Sequence, residues 1–350
     1  MLKDNLFRSN DIILVTGAGG YIGSRVVKTA LSFGPVHLRC FIRPSANIGF
    51  FSSLQKEYPR SQLEIMTGNL LSHEDCRRAT RDVTIIYNLA AGNDKTFAGC
   101  FMNSVISTRN ILQATKDSPS LKKFIHISSL AVYSNKGLKR RSVIDEDCSV
   151  DDNIASRYEP YTFGKFKQDE LVINWCSQYN IPFVILRPGY VIGPGKKAIP
   201  SRVGIDTFGI FLHLGGRNHI PLTYVDNCAE AIVLAGLMEK ATGEILNIID
   251  DDLPTSRKLL RLYKREVGRF FSIPIPYSLF YLFSYAWEAY SKHTKGQFPP
   301  AFNRNRCRTY WKGNRYSNRK AKSLLDWSPK VSMKEALALY MQYQKHNGGK

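Results

Sequence analysis

Short apolar runs recur through the first half of the chain, bounded by glycine, proline or polar clusters. Ile12-Ile13-Leu14-Val15 is the first, and residues 36–42, 63–67, 83–89, 123–128 and 182–186 follow. Each reads as a short strand. Between the strands, apolar residues fall at helical spacing. Val26, Val27, Ala30 and Leu31 share one helical face, as do Val105, Ile106, Ile111 and Leu112 within 101–115. Another helix is predicted from Pro160 to about Tyr179, and 140–156 reads as a polar loop. Alternating strands and helices predict an α/β fold, a parallel sheet joined by right-handed crossovers.

The junction after the first run reads Thr16-Gly17-Ala18-Gly19-Gly20-Tyr21-Ile22-Gly23-Ser24. Strand, glycine turn and helix form the phosphate-cradling start of a dinucleotide-binding βαβ unit, so the sheet is expected to be doubly wound and Rossmann-type. Gly17 makes the tight turn, Gly20 admits a pyrophosphate against the backbone, and Gly23 lets the helix pack on the strand. Gly19, Tyr21 and Ile22 complete the cradle. The helix N-terminus offers free N–H groups to the phosphates. The competing reading is a turn needed only for packing.

Other strand ends extend this site. Arg43 ends the second strand, where an acid would bind the ribose hydroxyls and favour NAD. A guanidinium suits the 2′-phosphate of NADP or stacks on the adenine, so Arg43, with Arg39 on the same strand, favours NADP over NAD. The alternative for Arg43 is a solvated loop residue. Gly68-Asn69-Leu70 is a candidate adenine contact. Leu89-Ala90-Ala91 ends the fourth strand with small residues that let the backbone pass close to the cofactor. Asn103 is the one polar residue that a core-facing helix over 101–115 does not explain.

Tyr161 and Lys165 lie four apart on a helix, and so on one face. A free tyrosine, with a pKa of roughly 10, is too weak a base at neutral pH. A neighbouring ammonium favours the phenolate and is expected to lower that value. The pair can then take a proton from a secondary alcohol or return one to a ketone. Ser129, at a strand end facing that helix, can hydrogen-bond the same oxygen. The hydride would belong to a nicotinamide. Tyr-x-x-x-Lys alone arises often by chance; its agreement with the glycine turn and with Ser129 gives it weight.

A length of 350 residues predicts a nucleotide domain and a smaller lobe. The net charge of +20 points to an anionic partner, such as a phosphate, a nucleotide or a membrane surface. No nucleic-acid module is recognisable, so no nucleic-acid partner is expected. The seven cysteines are scattered and never in CxxC, which argues against disulfides and zinc and for a cytoplasmic protein without a metal. Asp4, Arg8 and Asp11 interrupt the N-terminus, so no signal peptide is expected.

The combination resembles the extended short-chain dehydrogenase/reductases, in particular the NAD-dependent epimerase/dehydratase family. The glycine turn carries it, with Asn88-Leu89-Ala90-Ala91, Ser128-Ser129-Leu130-Ala131-Val132-Tyr133, Tyr161-Thr162-Phe163-Gly164-Lys165 and 186–195. So do Tyr224–Ala231 and Ala321–Pro329, which extend it over nearly the whole chain. The resemblance implies Ser129, Tyr161 and Lys165 as the catalytic set, Lys165 also holding the nicotinamide ribose, and Pro188 packing near the nicotinamide. It implies an NAD(P)-binding domain of residues 1–186 plus about 223–250, a substrate lobe of about 187–222 and 251–345, and a homodimer. Leu130 and Ala131 stand where the family's 4,6-dehydratases carry an Asp-Glu pair, which argues against dehydration. Tyr190 stands where many nucleotide-sugar epimerases have asparagine.

In the lobe, 204–216 reads as a substrate loop, followed by Arg217 and His219 as candidate anion contacts; a structural role for His219 is equally open. No Asp or Glu occurs from Ala289 to Leu325, and Arg304, Arg306 and Arg308 alternate as on one face of a strand that would suit a diphosphate. The competing reading is a solvated basic surface. The apolar stretch 273–287 is too short and proline-broken to span a bilayer, which takes about 20 residues. It reads first as a buried lobe helix and second as a peripheral membrane contact. Three functions follow. The first is an NAD(P)-dependent epimerase or oxidoreductase on a small, anionic, nucleotide-linked sugar, with Tyr190, Arg217 and Arg306 binding substrate. The second is a 3β-hydroxysteroid-dehydrogenase-like enzyme on a steroid or lipid-linked alcohol. The third is a non-catalytic dinucleotide-binding regulator, which would be expected to lose Ser129, Tyr161 and Lys165.

Overall fold

The computed structural model describes residues 7–347 except Ser9, Asp117, Pro119, Lys197, Ala198 and Phe208. Asp4, used above for the N-terminus, lies outside them. In chain order the strands are β1 (Ile12–Thr16), β2 (His37–Ile42), β3 (Gln62–Thr67), β4 (Ile85–Asn88), β5 (Lys123–Ile127), β6 (Val143–Ile144), β7 (Phe183–Pro188), β8 (Tyr190–Ile192), β9 (Gly204–Thr207), β10 (Ile210–His213), β11 (Leu222–Tyr224), β12 (Ile245–Ile248), β13 (Ser272–Pro274) and β14 (Arg315–Tyr316). The helices are α1 (Tyr21–Ser32), α2 (Gly49–Glu57), α3 (His73–Thr80), α4 (Phe97–Cys100), α5 (Ser107–Thr115), α6 (Pro160–Gln178), α7 (Val225–Leu237), α8 (Ser256–Glu266), α9 (Tyr277–His293), α10 (Arg304–Trp311), α11 (Arg319–Leu325) and α12 (Met333–Asn347).

Seven strands form one sheet in the order β12-β7-β5-β4-β1-β2-β3, every neighbouring pair parallel. The apolar runs are continuous rather than alternating because helices cover both faces. On one face Ile13, Val15 and Tyr87 pack under Val26, Val27 and Ala30 of α1 and Ile232 and Val233 of α7. On the other, Leu14, Ile86 and Phe124 pack under Ile111 and Leu112 of α5 and Val172 and Cys176 of α6. The chain travels outward through β2 and β3, then returns to β4 beside β1. The carboxyl ends of β1 and β4 therefore flank the switch point, where open α/β sheets bind ligands.

The C-terminal part adds a three-stranded sheet, β13-β10-β9, and two small two-stranded ones. Ile192, Val203 and Phe211 pack there with Leu259 and Leu260 of α8 and Leu337 and Met341 of α12. Ala321, Leu325 and Trp327, from α11 and the residues after it, return to the main core.

Several expectations are corrected. The stretch 204–216 is no loop: β9 and β10 pair antiparallel over most of it, and a Cβ on Gly204 would lie 2.1 Å from the Leu212 carbonyl oxygen. Arg304, Arg306 and Arg308 lie on helix α10, which the buried Asn303 caps by accepting from the Arg306 N–H at 2.8 Å. Helical geometry puts Arg304 and Arg308 on one face and turns Arg306 away. The stretch 273–287 is not buried: most of it is α9, whose only buried residues are Phe280, Ser284 and Ser291. The helix expected over 101–115 starts earlier, at a Thr96 cap, and passes through a π-helical turn, Phe101–Ile106. The seven cysteines are free thiols, and among the described residues no helix is long and apolar enough to cross a membrane.

Candidate active site

The glycine turn is built as a cradle. Gly17 holds φ +68°, and a Cβ there would lie 3.2 Å from the Ala90 nitrogen, so the turn and the end of β4 touch backbone to backbone. A Cβ on Gly23 would lie 2.1 Å from the Gly17 carbonyl oxygen, so helix and turn pack together only with glycine there. Gly20 caps α1 with no side-chain hydrogen bond, and no acidic residue sits in the first turn. The first N–H groups of α1 are thus open to an anion. Gly19 lies against Ala46 and Ile42, which brings the exposed Arg43 beside the turn. Ile22 packs against the core, and Tyr21 turns under Gly193 and Gly195. These residues fit a dinucleotide.

A buried hydrogen-bond network fixes the opposite wall. Thr16 Oγ1 donates to Asn88 Oδ1 at 2.9 Å and accepts from the Ala90 N–H at 3.3 Å. Gln168, on α6, donates to Thr108 Oγ1 at 2.7 Å and to the Ala90 carbonyl at 3.3 Å. Ala90, between Leu89 and Ala91, is therefore held by both the first strand and the helix that carries Tyr161 and Lys165.

Ser129 follows β5 in extended conformation, and its Oγ accepts from the Ala131 N–H at 3.2 Å. Behind it the buried Arg157 pairs with Asp151 at 2.6 Å and donates to the carbonyls of Ala131 and Tyr133. The Ser129 side chain lies near enough to the Tyr161 phenol to favour its ionised form. Lys165 Nζ donates to the Ile127 carbonyl at 2.6 Å. The three side chains meet at the carboxyl end of β5, one strand from β4 and two from β1.

Their electrostatics differ from the expectation in one respect. Burial pushes the Tyr161 phenol up to about 12; Ser129 works against this, and the Asp169 charge adds to it. Lys165 is not among the groups lowering it. The residue keeps 38% of its surface open, so it borders the open site rather than lying inside the core. Burial lowers Lys165 to about 8, partly offset by Asp169. Tyr161 is thus a neutral phenol at neutral pH, and Lys165 remains a cation.

Beneath them lies a cluster that pattern reading missed. Asp169, one turn beyond Lys165, meets Arg187 at 3.0 Å and faces His126 Nε2 at 3.4 Å. Burial would raise the Asp169 carboxyl, but His126, Arg187 and Ser128 together hold it below its ordinary value. Burial lowers His126, leaving it neutral. The Arg187 guanidinium stacks 4.6 Å from the Tyr133 ring, whose hydroxyl donates to Asn247 at 2.9 Å. The i,i+4 spacing of Lys165 and Asp169 was the one available signal; His126 and Arg187 reach Asp169 from β5 and β7.

Other expected site residues lie elsewhere or are engaged. Asn69 Oδ1 accepts from the Leu71 N–H at 3.0 Å, closing a local turn, and the Leu70 carbonyl accepts from Asn110. Arg39 is buried, donating to Glu64 at 2.7 Å and to the carbonyls of Ala79 and Arg81, so it does not face a ribose. Asn103 donates to Asp94 at 2.9 Å. Pro188 is buried at the end of β7. Tyr190 is half-buried against the α12 core, with Lys196 Nζ 5.5 Å from its ring. Arg306 is tied to Glu159 at 3.3 Å and to the Ala301 carbonyl. Arg217 is exposed and lines a cavity of about 860 Å³ with Arg257, Lys258, Arg261 and Arg265 of α8. His219 bridges Thr255.

Comparisons with known proteins bear on the fold and the family. A trifunctional UDP-glucose 4,6-dehydratase/3,5-epimerase/reductase of Arabidopsis thaliana is 25% identical over 262 residues, 71% of this chain but 38% of the plant protein. The chain thus spans well under half the length of that relative. An uncharacterised UDP-glucose epimerase of Bacillus subtilis is 24% identical over 271 residues, covering 73% of this chain and 82% of that protein. The crystal structure of a UDP-glucuronic acid 4-epimerase from Bacillus cereus, in complex with NAD, superposes with TM-score 0.70 at 23% identity, covering 97% and 98% of the two chains. A dTDP-glucose 4,6-dehydratase from Bacillus anthracis, also with NAD, gives TM-score 0.70 at 21% identity, covering 96% and 97%. These likenesses establish the fold. The sequence pattern of the NAD dependent epimerase/dehydratase family matches residues 13–248, from the first sheet strand through the last, and the chain belongs to that family.

Proposed function

We propose that this protein is an NAD(P)-dependent epimerase or oxidoreductase acting at a secondary alcohol or ketone of a nucleotide-linked sugar. The observation that carries the reading is the meeting of Ser129, Tyr161 and Lys165 beside the glycine cradle. The bound nicotinamide would supply hydride chemistry. Gly17, Gly20 and the open N-terminus of α1 would hold the pyrophosphate, and Leu89–Ala91 would pass beside it. Tyr161 would donate its proton to a carbonyl oxygen, or receive one from an alcohol, with Ser129 orienting that oxygen. Lys165, anchored to the Ile127 carbonyl, would hold the nicotinamide ribose. Residues 187–222 and 251–345 would form the substrate lobe.

The substrate class follows from relatives whose names specify UDP- or dTDP-sugars. Leu130, buried after Ser129, and Ala131 offer no carboxyl group, which supports hydride chemistry without elimination of water. The outward apolar face of α9 favours a second reading, a steroid or lipid-linked alcohol. One experiment separates the two. The purified protein is assayed for bound nicotinamide by mass spectrometry, then incubated with UDP- and dTDP-sugars and, separately, with hydroxysteroids. The expected result is conversion of a nucleotide sugar, read by chromatography and by reduced-nicotinamide absorbance. Turnover of a sterol with none of any nucleotide sugar overturns the first reading, and turnover of neither overturns both.

A further inference from the structure

Helix α9 is turned inside out for a helix in water. Its polar Ser284 and Ser291 are buried, each hydroxyl donating to a carbonyl, of Phe280 and Phe298. Its large apolar residues point outward: Leu279 is 56% exposed, Leu282 63%, Phe283 43% and Tyr290 48%. With Ala286 these fall at helical spacing, so they form one stripe along one face. The inner face is well seated, with Phe280 edge-on to Trp311 at 5.2 Å, so the exposure does not come from a loose helix. The one acid on α9, Glu288, is neutralised by Arg304 at 2.7 Å. A contiguous exposed apolar stripe on a rigid element marks a docking surface.

Charge selects the occupant. Lys292, His293 and Lys295 are exposed at the C-terminal end of the stripe, and no acid occurs from Ala289 to Leu325 in a chain of net charge +20. Tyr285, Trp287 and Tyr290 place amphipathic rings along the same helix, the composition found where a helix meets lipid headgroups. A second copy of this chain, itself at net charge +20, would bring no anions to the rim. We propose that α9 lies in the plane of an anionic bilayer, its stripe among the acyl chains and its Lys292–Lys295 rim among acidic headgroups. The catalytic domain stays in the water, as no described helix can span.

Co-sedimentation of the full chain with vesicles tests this directly. Binding is expected to vesicles of phosphatidylcholine containing a third phosphatidylglycerol, and about tenfold or more weaker binding to phosphatidylcholine alone. High salt should weaken it. Leu279→Asp with Leu282→Asp, both outside the packed inner face, should reduce binding about tenfold or more while leaving the melting temperature unchanged. Lys292→Glu with Lys295→Glu should abolish the preference for anionic vesicles. Failure of the wild-type protein to bind anionic vesicles overturns the proposal, as does undiminished binding by the Leu279/Leu282 variant. A dimer that the same variant splits, seen by ultracentrifugation without vesicle binding, would assign the stripe to self-association instead. None of these readouts depends on the substrate.

Discussion

Lys165 Nζ donates to the carbonyl oxygen of Ile127 at 2.6 Å, and Ile127 is the last residue of the strand that leads into Ser129. The bond ties the helix carrying Tyr161 to the strand end that leads into Ser129. It also uses a donor of a buried ammonium that burial has already brought down to about 8. Replacing Lys165 by methionine should therefore act twice, removing the cation and freeing the helix from the strand. Lys165→Met is expected to lower kcat by about two to three orders of magnitude. Lys165→Arg should restore part of the charge effect without the activity, because the longer planar group cannot repeat the Ile127 contact in the same space. Steady-state kinetics on both variants check this; a fully active arginine variant would contradict it.

Tyr161 is a phenol pushed up to about 12 by burial, so the neutral form is the one present at neutral pH. Tyr161→Phe deletes the hydroxyl and keeps the ring. Turnover should fall by about two to four orders of magnitude, while dinucleotide affinity stays within about twofold. Fluorescence titration with the dinucleotide and single-turnover kinetics measure the two separately. Retained turnover would remove the proton-transfer role.

Gly23 has no room for a methyl group against the Gly17 carbonyl oxygen, whereas Gly268 has open space around it. Gly23→Ala should separate α1 from the turn and weaken dinucleotide binding about tenfold or more, with a lower melting temperature. Gly268→Ala should leave binding unchanged. Calorimetric titration of both variants gives the comparison.

Arg43 is exposed at the end of β2, beside the residues that touch Gly19. Arg43→Asp is expected to shift the ratio of NAD to NADP affinity towards NAD by about tenfold, since a carboxylate accepts from ribose hydroxyls and repels a 2′-phosphate. An unchanged ratio would reduce Arg43 to a solvated loop residue.

Asp250 follows β12, buried, and burial raises its carboxyl from 3.8 to about 6 although the Tyr224 N–H and Asn227 both donate to it. The folded protein therefore keeps a proton that the unfolded chain loses first. Between about pH 4 and 6 unfolding releases that proton, so stability should fall as the pH rises through this window. The change is on the order of 2–3 kcal/mol for a shift of about two units. Urea unfolding of the wild type and of Asp250→Asn across this range tests it; the variant should lack this slope.

Much of the fold was readable because the sheet is covered on both faces. Ile12–Val15 had to be apolar without alternation, and α1 and α5 had to carry one apolar stripe each, so period and punctuation alone gave their type. The lobe was harder. Arg304, Arg306 and Arg308 alternate in sequence, yet Asn303 supplies a helix cap and the aromatic core beneath supplies the packing, so capping and burial outweighed the alternation. The pair of strands at 204–213 was hidden because Gly204 and Gly209 look like loop residues, while Gly204 is glycine so that β10 can approach.

By itself the sequence determined the strand–turn–helix cradle, the pairing of Tyr161 with Lys165 on one helical face and the position of Ser129 at a strand end. These are local facts, set by backbone sterics and by residues within a turn of one another. Only the tertiary structure decided the rest: that Tyr161 meets Ser129, that Lys165 is spent partly on Ile127, and that Asp169, His126 and Arg187 form one buried cluster. It also decided that Arg39 and Arg306 are occupied by carboxylates and that α9 faces outward. Those outcomes depend on which groups share a desolvated space, and residues far apart in the chain acquire a common dielectric and common hydrogen-bond partners only when the sheet brings their strands together.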